Sequence, residues 1–425
     1  MRIEFFFDFA CPFAYLAARE IEGVAARTGA ELVWRPILLG GVLRAIGSEE
    51  LLARQPAARN AYLQRDRVRC AEMRGAPLSP SAVHPQRTVR ALRVVLAVND
   101  GPERIALVHE LYRAYWERGE EIEDESVLRR ALVACGIAPD APLEASATPT
   151  LKEELRRRTD EAIARGVFGV PTSIVSTPQG ERLFWGQDRL EQVEAVLGGW
   201  IPGGDAPPAR VVETRPATAD GAVIEFWYDF ASPWAYIAST QVQRVAARAG
   251  AELVWRPMLL GGVFKEIGQQ NVPLFSMPDA KRRWVAADLE IWSSWWGVPL
   301  KWASHFPQRT ITPLRLALLA GDRVAELSHA MFRAIWVEDR NLEEDATLVA
   351  AVESVGLDAA ALMAQTQDPA IKRALIDNTN AAVAAGVFGT PSFVVRRGDT
   401  ARLFFGQDRL DQVERAARGD AIPSS

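Results

Sequence analysis

The sequence of 425 residues has few cysteines, no long apolar run and almost balanced charge, and each shortage excludes a class of protein. The three cysteines, Cys11, Cys70 and Cys135, are too few and too far apart for a disulfide framework or a cysteine-based zinc site. No stretch approaches the roughly 20 apolar residues of a membrane-spanning helix, and the N-terminus shows no secretory signal. Because 49 basic residues face 54 acidic ones, no basic field attracts nucleic acid. We therefore expect a cytoplasmic protein without nucleic-acid, membrane or metal partners.

The chain contains an internal repeat. Residues 8–12 (DFACP) recur as residues 229–233 (DFASP), and residues 30–36 (AELVWRP) recur unchanged at residues 251–257. Near the end of each copy, residues 166–171 (GVFGVP) match residues 386–391 (GVFGTP), and the register shifts by only one residue. We therefore predict two copies of one domain, at residues 1–197 and 223–418, joined by a Gly/Pro-rich linker at residues 198–222.

Each copy has the pattern of an α/β domain with a helical insertion. In the first copy, a β-rich run at residues 3–9 precedes Pro12 and a helical periodicity that ends near Gly29, and a second β-rich run follows at residues 31–36. This order predicts a βαβ unit with parallel strands. Helical patterns, two short strands and a last helix complete the copy, at residues 87–98, 105–116, 172–176, 183–186 and 190–197.

These motifs, in this order, resemble the thioredoxin fold in its DsbA-like branch, as two tandem copies. The segments 229–233 (DFASP), 259–265 (LLGGVFK) and 404–410 (FFGQDRL) resemble, more closely, 2-hydroxychromene-2-carboxylate isomerase and kappa-class glutathione transferase. The resemblance implies glutathione as the cofactor and a small-molecule substrate. Since members of this family pair as homodimers, it also implies that the two copies form an intrachain pseudo-dimer, in a chain that is a monomer or a weak homodimer.

Residues 11 and 232 fall at the predicted start of the first helix of each copy. Unpaired backbone N–H groups and the positive end of the helix dipole stabilise an anion there. Cys11 at such a position would have a lowered pKa, whereas Ser232 would donate its hydroxyl to a thiolate that a ligand supplies. Disulfide exchange by a Cys-x-x-Cys motif is excluded, because Ala14 and Ala235 stand where the second cysteine would be. A plain helix cap at Ser232 and an inert, buried Cys11 remain open alternatives.

The resemblance assigns cofactor contacts to two segments of each copy. A cis proline would face the helix start, the main chain of the residue before it would pair with the cysteinyl part of glutathione, and a Gln-Asp pair would hold the γ-glutamyl end. A trans proline in an ordinary turn, and an aspartate that only caps the last helix, are the alternatives. The residues assigned in this way are Val170, Pro171, Gln187, Asp188, Thr390, Pro391, Gln407 and Asp408.

Ser232, Lys265 and Asn271 together favour the second copy as the catalytic one. Lys265 resembles the isomerase lysine that lies near the substrate carboxylate or oxyanion, and Asn271 lies near the position of a polar partner in the family. A cation and an amide suit a developing enolate. Trp234, beside Ser232, would form a wall for a flat hydrophobic substrate. The first copy has Arg44 in place of the lysine, as a candidate substrate contact, and residues 49 and 50 are glutamates with no asparagine nearby.

The resemblance and these site residues therefore imply a glutathione-dependent isomerase. It would act on a conjugated small molecule (2-hydroxychromene-2-carboxylate-like, aromatic or enone) by reversible addition of a thiol. Ser232, Lys265 and Asn271 would carry the reaction, and Cys11 is a further candidate. Three alternatives remain open. The protein could be a glutathione transferase, an enzyme that uses Cys11 as its own nucleophile without glutathione, or a binding protein with no catalysis.

Overall fold

The computed structural model describes residues 1–48, 55–79, 83–204, 207–208 and 221–420. Most of the predicted linker at residues 198–222, and both Glu49 and Glu50, lie outside this part of the chain. Two α/β units follow each other, and each is built on one sheet of four strands. The α/β class and the tandem arrangement predicted from the repeat are confirmed.

The two sheets have the same topology, with orders β2-β1-β3-β4 and β6-β5-β7-β8. In each sheet the first two strands of the unit are parallel, and the last two are antiparallel to their neighbours. The parallel pair confirms the predicted βαβ start. The strands are β1 Arg2–Phe7, β2 Glu31–Pro36, β3 Thr172–Thr177, β4 Gly180–Trp185, β5 Val223–Tyr228, β6 Glu252–Pro257, β7 Ser392–Arg397 and β8 Thr400–Phe405.

Helices fill the insertion between β2 and β3, and again between β6 and β7. The first unit contains α1 Pro12–Thr28, α2 Leu39–Ala45, α3 Ala57–Met73, α4 Val89–Ala97, α5 Pro102–Trp116, α6 Glu125–Ala134, α7 Asp140–Ser146, α8 Pro149–Ala164 and α9 Leu190–Leu197. The second contains α10 Pro233–Ala249, α11 Leu260–Glu266, α12 Asp279–Trp296, α13 Ile311–Leu319, α14 Val324–Trp336, α15 Asp345–Ser354, α16 Ala359–Gln365, α17 Pro369–Ala384 and α18 Leu410–Arg418. Short 3-10 turns, Gln187–Arg189 and Gln407–Arg409, precede α9 and α18.

The first helix of each unit begins and ends as its sequence predicts. Cys11 and Ser232 are the N-caps, and a proline follows each at the first helical position, where its missing N–H costs nothing. Gly29 ends α1 with a φ of 65°, a left-handed conformation that glycine adopts without strain. The strand before α1 stops two residues earlier than predicted. The reason is that the Asp8 carboxylate accepts hydrogen bonds from the N–H groups of Ala10 and Leu39 and turns the chain toward the helix.

The two units contact each other through helices of their insertions. In α3 of the first unit, the Arg69 guanidinium donates to the Leu403 carbonyl at 3.3 Å and lies 4.2 Å from the centre of the Phe404 ring. In α12 of the second unit, the indole of Trp284 lies edge-on to that of Trp185, with ring centres 5.1 Å apart. Each insertion therefore packs on the β-hairpin of the other unit, just before the predicted Gln-Asp pair.

Candidate functional site

Ser232 lies at the start of α10, in a position suited to bind an anion. Its hydroxyl oxygen accepts a hydrogen bond from the Ala235 N–H at 3.2 Å, and its O–H donates to the Thr390 carbonyl at 3.3 Å. The residue is only 6 % exposed, so it is buried among the residues around the helix start. A sulfur anion here would meet the positive end of the helix dipole and a hydroxyl that can rotate away from the Thr390 carbonyl.

Cys11 occupies the corresponding position of the first unit, but its thiol is not activated. Its Sγ donates a hydrogen bond to the Val170 carbonyl at 3.2 Å. Burial raises the pKa of the Cys11 thiol to about 12, and hydrogen bonds from the N–H groups of Phe13 and Ala14 lower it by less. The expectation that the helix start lowers this pKa is therefore wrong, because the loss of water around the sulfur outweighs the helix dipole.

Both prolines of the repeated GVFG-x-Pro turn have cis peptide bonds. The bonds Val170–Pro171 and Thr390–Pro391 are cis, so the expected isomer is confirmed and the trans alternative is wrong. The carbonyls of Val170 and Thr390 are the acceptors for the side chains at the two helix starts. The structure thus brings together the residues that the sequence assigned to the sulfur site of each unit.

The two glutamines of the Gln-Asp pairs point into the protein. Gln187 and Gln407 are both buried. The Gln187 amide donates to the Cys70 sulfur at 3.7 Å, and the Gln407 amide oxygen accepts from the Trp296 indole N–H at 2.9 Å. Their side chains therefore hold the insertion helices in place, and the neighbouring aspartates remain the polar groups that reach the surface.

Asp188 and Asp408 lie together where the two units meet. Arg189 donates to Asp188 at 2.8 Å and to Asp408 at 3.1 Å, and Arg409 lies 2.8 Å from Asp188 and 3.4 Å from Asp408. The side chains of Asp188 and Asp408 are 22 % and 19 % exposed. Gly406 is required beside Asp408, because a Cβ there would collide with the carboxylate and its φ is 103°. We call these two aspartates and two arginines the charge ring.

Two further carboxylates, one from each insertion, extend the charge ring. Asp288 accepts from Arg189 at 2.9 and 3.1 Å, and Asp66 accepts from Arg409 at 3.3 and 3.0 Å. Burial by itself would raise the pKa of Asp188, but the two guanidinium groups outweigh it and lower this pKa to about 2. Asp188 is therefore ionised at neutral pH and offers a negative edge to a cationic ligand group.

Lys265 and Asn271 lie around the short helix α11. The Leu260 N–H at its start donates to the carboxylate of Asp229, three residues before Ser232. The Asn271 side-chain oxygen lies 3.6 Å from the position of a Cβ on Gly261. Lys265 is exposed, and it shares a helix face with Gly261 because the two are four residues apart. The helix thus brings the lysine and the amide to the same side.

Arg44 and Trp234, the two predicted substrate contacts, lie in different helices of the two units. Arg44 is exposed in the last turn of α2, the counterpart of α11, so it takes the place of the lysine as predicted from the repeat. Trp234 is half-buried in the first turn of α10, two residues after Ser232. Its ring packs against the hydrophobic core of the second unit.

One charged residue that the sequence analysis did not select is Lys281, at the start of α12. Its ammonium lies 5.3 Å from the centre of the Trp185 ring in the other unit. Burial and the charge of Arg59 lower the pKa of Lys281 to about 8. Trp185 in turn packs on Gly169 of the cis-proline turn. The only sign of Lys281 in the sequence was indirect: if the two copies form a pseudo-dimer, some residues of each insertion must contact the other copy.

Within the described ranges, no group of three or more His, Cys, Asp or Glu residues is arranged to hold a metal ion. None of the helices in this part of the chain is long and apolar enough to cross a membrane.

The chain belongs to the family of DSBA-like thioredoxin domains, whose model matches residues 2–198 and 223–418. It is similar to 2-hydroxychromene-2-carboxylate isomerase of Sphingobium xenophagum, with 30% identity over 46% of this chain and 97% of that protein. It is also similar to glutathione S-transferase kappa 1 of Homo sapiens, with 28% identity over 49% of this chain and 95% of that protein. A solved 2-hydroxychromene-2-carboxylate isomerase covers 47% of this chain and 95% of its own, with 28% identity and a TM-score of 0.42. Each relative thus matches about one unit.

Proposed function

We propose that the second unit is a glutathione-dependent isomerase of a conjugated small molecule such as 2-hydroxychromene-2-carboxylate. The observation that carries the proposal is the Ser232 hydroxyl at the start of α10, 3.3 Å from the carbonyl of Thr390, which precedes a cis proline. A hydroxyl in that place, beside the N–H groups of a helix start, is suited to hold a thiolate. The similar isomerases and kappa-class transferases support the same assignment.

The residues of the second unit fit glutathione. Ser232 would donate to its sulfur, the main chain of Thr390 before Pro391 would pair with its cysteinyl part, and Asp408 would accept from its ammonium group. The buried side chain of Gln407 would act only by holding the turn in place. When bound, glutathione supplies a thiolate that adds to an electron-poor double bond and later leaves it, so that rotation takes place about a single bond.

The substrate would lie between Ser232 and the face of α11 that carries Lys265. As electrons move from the double bond toward its carbonyl oxygen, the Lys265 ammonium and the Asn271 amide would stabilise the negative charge on that oxygen. Trp234 would form one wall of the cleft. The exposed position of Lys265 allows its flexible side chain to reach a substrate at the surface.

The first unit would contribute mainly structure to this enzyme. Its thiol at Cys11 is protonated at neutral pH, because the pKa is about 12, and this disfavours Cys11 as a nucleophile. Val170, Pro171 and Asp188 would form a second glutathione site without isomerase chemistry, with Arg44 beside it, and the buried side chain of Gln187 would only hold the turn in place. The units would act as an intrachain pseudo-dimer, since each insertion packs on the other unit. Free thiols at all three cysteines suit a reducing compartment such as the cytoplasm.

Turnover of 2-hydroxychromene-2-carboxylate tests the proposal against its alternatives. We expect isomerisation that requires glutathione and leaves its concentration unchanged, whereas a transferase would consume one glutathione for each product. Ser232→Ala should lower kcat by about 100-fold, as for the loss of one preorganised hydrogen-bond donor, and Cys11→Ala should not. Activity without any thiol that is lost only in Cys11→Ala would contradict the proposal.

A further inference from the structure

Three aromatic side chains of the second unit form a surface cluster, which we call the aromatic shelf: Phe275, Trp302 and Phe306. The ring centres of Trp302 and Phe306 are 5.0 Å apart, and those of Phe275 and Phe306 are 6.3 Å apart. Phe275 is 59 % exposed and Trp302 is 42 % exposed. A contiguous exposed apolar patch marks a candidate binding surface, whereas single exposed apolar residues are common.

The aromatic shelf lies beside the first turns of α10, where Ser232 is. The Trp302 ring centre is 5.9 Å from that of Trp336, whose indole N–H donates to the carbonyl of Phe230 at 2.9 Å. Phe230 is two residues before Ser232. From the other side, the Tyr236 hydroxyl of α10 donates to the carbonyl of Pro299, in the segment that leads to Trp302, at 2.8 Å. The segment that carries the shelf is thus anchored to residues on both sides of Ser232, through the buried Trp336 indole and the Tyr236 hydroxyl.

Asp339 holds the segment that carries Trp302 at two points. Its carboxylate accepts from the Ser304 N–H at 2.6 Å and pairs with the Lys301 ammonium at 3.0 Å, so it fixes the chain on both sides of the indole. Asp339 has a φ of 57°, a left-handed conformation that costs a non-glycine residue free energy. The sequence thus places a strained residue where its carboxylate orients the aromatic shelf.

The first unit lacks these features. Its counterpart of Asp339 is Gly119, with a φ of 67°, which adopts the left-handed conformation without strain but has no carboxylate. The cis proline that follows Phe306 in the second unit follows His84 in the first. The counterpart of Trp302 is Pro80, which lies outside the described residues. The aromatic shelf therefore distinguishes the second unit from the first.

We propose that the aromatic shelf binds an aryl group of the substrate, that Trp302 determines the preference of the second unit for such substrates, and that Asp339 is a positioning residue for Trp302. The inference rests on the proposed function, because the reactive double bond has to reach Ser232. It goes beyond that function in assigning substrate selectivity to a segment outside the thioredoxin motifs. A planar aryl group stacks on an indole with favourable geometry and dispersion energy.

Two enones that differ only in one substituent test the aromatic shelf. (Z)-Benzylideneacetone has a phenyl group on the double bond, and (Z)-pent-3-en-2-one has a methyl group. We expect Trp302→Ala to raise the KM for the phenyl substrate about tenfold and to leave the methyl substrate unchanged. Ile376→Ala, which removes an exposed apolar side chain from α17, is the control and should change neither KM. Equal effects of Trp302→Ala on both enones would overturn the inference.

Asp339→Gly tests the positioning role without threatening the fold, since glycine suits a φ of 57°. It should raise the KM for the phenyl enone severalfold and leave kcat unchanged. An unchanged KM would overturn the role of Asp339. If wild-type protein isomerises neither 2-hydroxychromene-2-carboxylate nor these enones, the proposed function fails. Equilibrium dialysis of benzylideneacetone then still decides whether the aromatic shelf binds an aryl group. Binding about tenfold weaker to Trp302→Ala supports it, and equal binding overturns it.

Discussion

The reactivity of Cys11 is the property that most sharply separates the proposed reaction from covalent catalysis by the protein itself. With a pKa of about 12, the thiolate fraction of Cys11 at pH 7.5 is about 3 in 100,000. A free cysteine with a pKa of roughly 8.5 has about one tenth of its thiol ionised at the same pH. Because only the thiolate is alkylated, Cys11 should react with iodoacetamide about 3,000-fold more slowly than an ordinary thiol.

Peptide mapping by mass spectrometry measures this rate for Cys11 separately from the rates of Cys70 and Cys135. The same protein in concentrated guanidinium chloride is the matched control, since unfolding exposes the thiol to water and restores an ordinary pKa. The rate in the folded protein should also rise about tenfold for each pH unit up to pH 10, because the thiolate fraction does so. Alkylation at pH 7.5 within tenfold of the unfolded rate would contradict the raised pKa of the Cys11 thiol, and Cys11 would again be a candidate nucleophile.

Three further predictions concern the charge ring and the substrate site. Asp288→Asn should lower the free energy of unfolding by about 3 kcal/mol in urea titrations, because the buried guanidinium of Arg189 loses a negatively charged partner. The control Arg156→Gln breaks only exposed ion pairs and should lower this free energy by less than about 1 kcal/mol. Asp188 has a pKa of about 2 in the folded protein against roughly 3.9 in the unfolded chain, so its ionised form should add about 2 kcal/mol of stability above pH 4. This contribution is lost as the pH falls toward 2. In urea titrations, the free energy of unfolding should therefore change less between pH 5 and pH 3 in Asp188→Asn than in the wild-type protein. Lys265→Met should lower kcat about tenfold or more with an unchanged melting temperature, while Arg44→Met in the first unit should leave kcat unchanged.

The sequence predicts well the parts of the structure that short motifs encode. The strand and helix around Pro12 and the N-cap position of Ser232 follow from motifs that fix a few neighbouring residues, whereas the cis isomers of Pro171 and Pro391 follow from the family resemblance. Such local geometry depends on backbone preferences and on hydrogen bonds within one unit. The repeat strengthens each assignment, because the same motif occurs at the same place in both copies of the domain.

The contacts between the units could not be predicted in the same way. Asp66 and Asp288 lie on insertion helices whose periodicity shows a buried face but not the partner that covers it. The arginines that follow Asp188 and Asp408 are therefore seen as charge-ring residues only once both units are in place.

The pKa of Cys11 was also missed, for a related reason. The helix start can be identified from its proline, but the loss of water around the sulfur depends on packing between distant segments of the unit. The burial of Gln187 and Gln407 was not predicted either. The motif made their side chains look like ligand contacts, but both are buried in the structure.

The most direct test of the account is a calorimetric titration of the full chain with glutathione, in wild-type protein and in Ser232→Ala. We expect saturable binding of glutathione to the wild-type protein. Ser232→Ala should lower the affinity of the second unit's site at least tenfold, with no loss of folded structure by circular dichroism. Absence of any heat of binding to the wild-type protein, or identical affinity and stoichiometry in the variant, would contradict the claim that the start of α10 holds the glutathione sulfur.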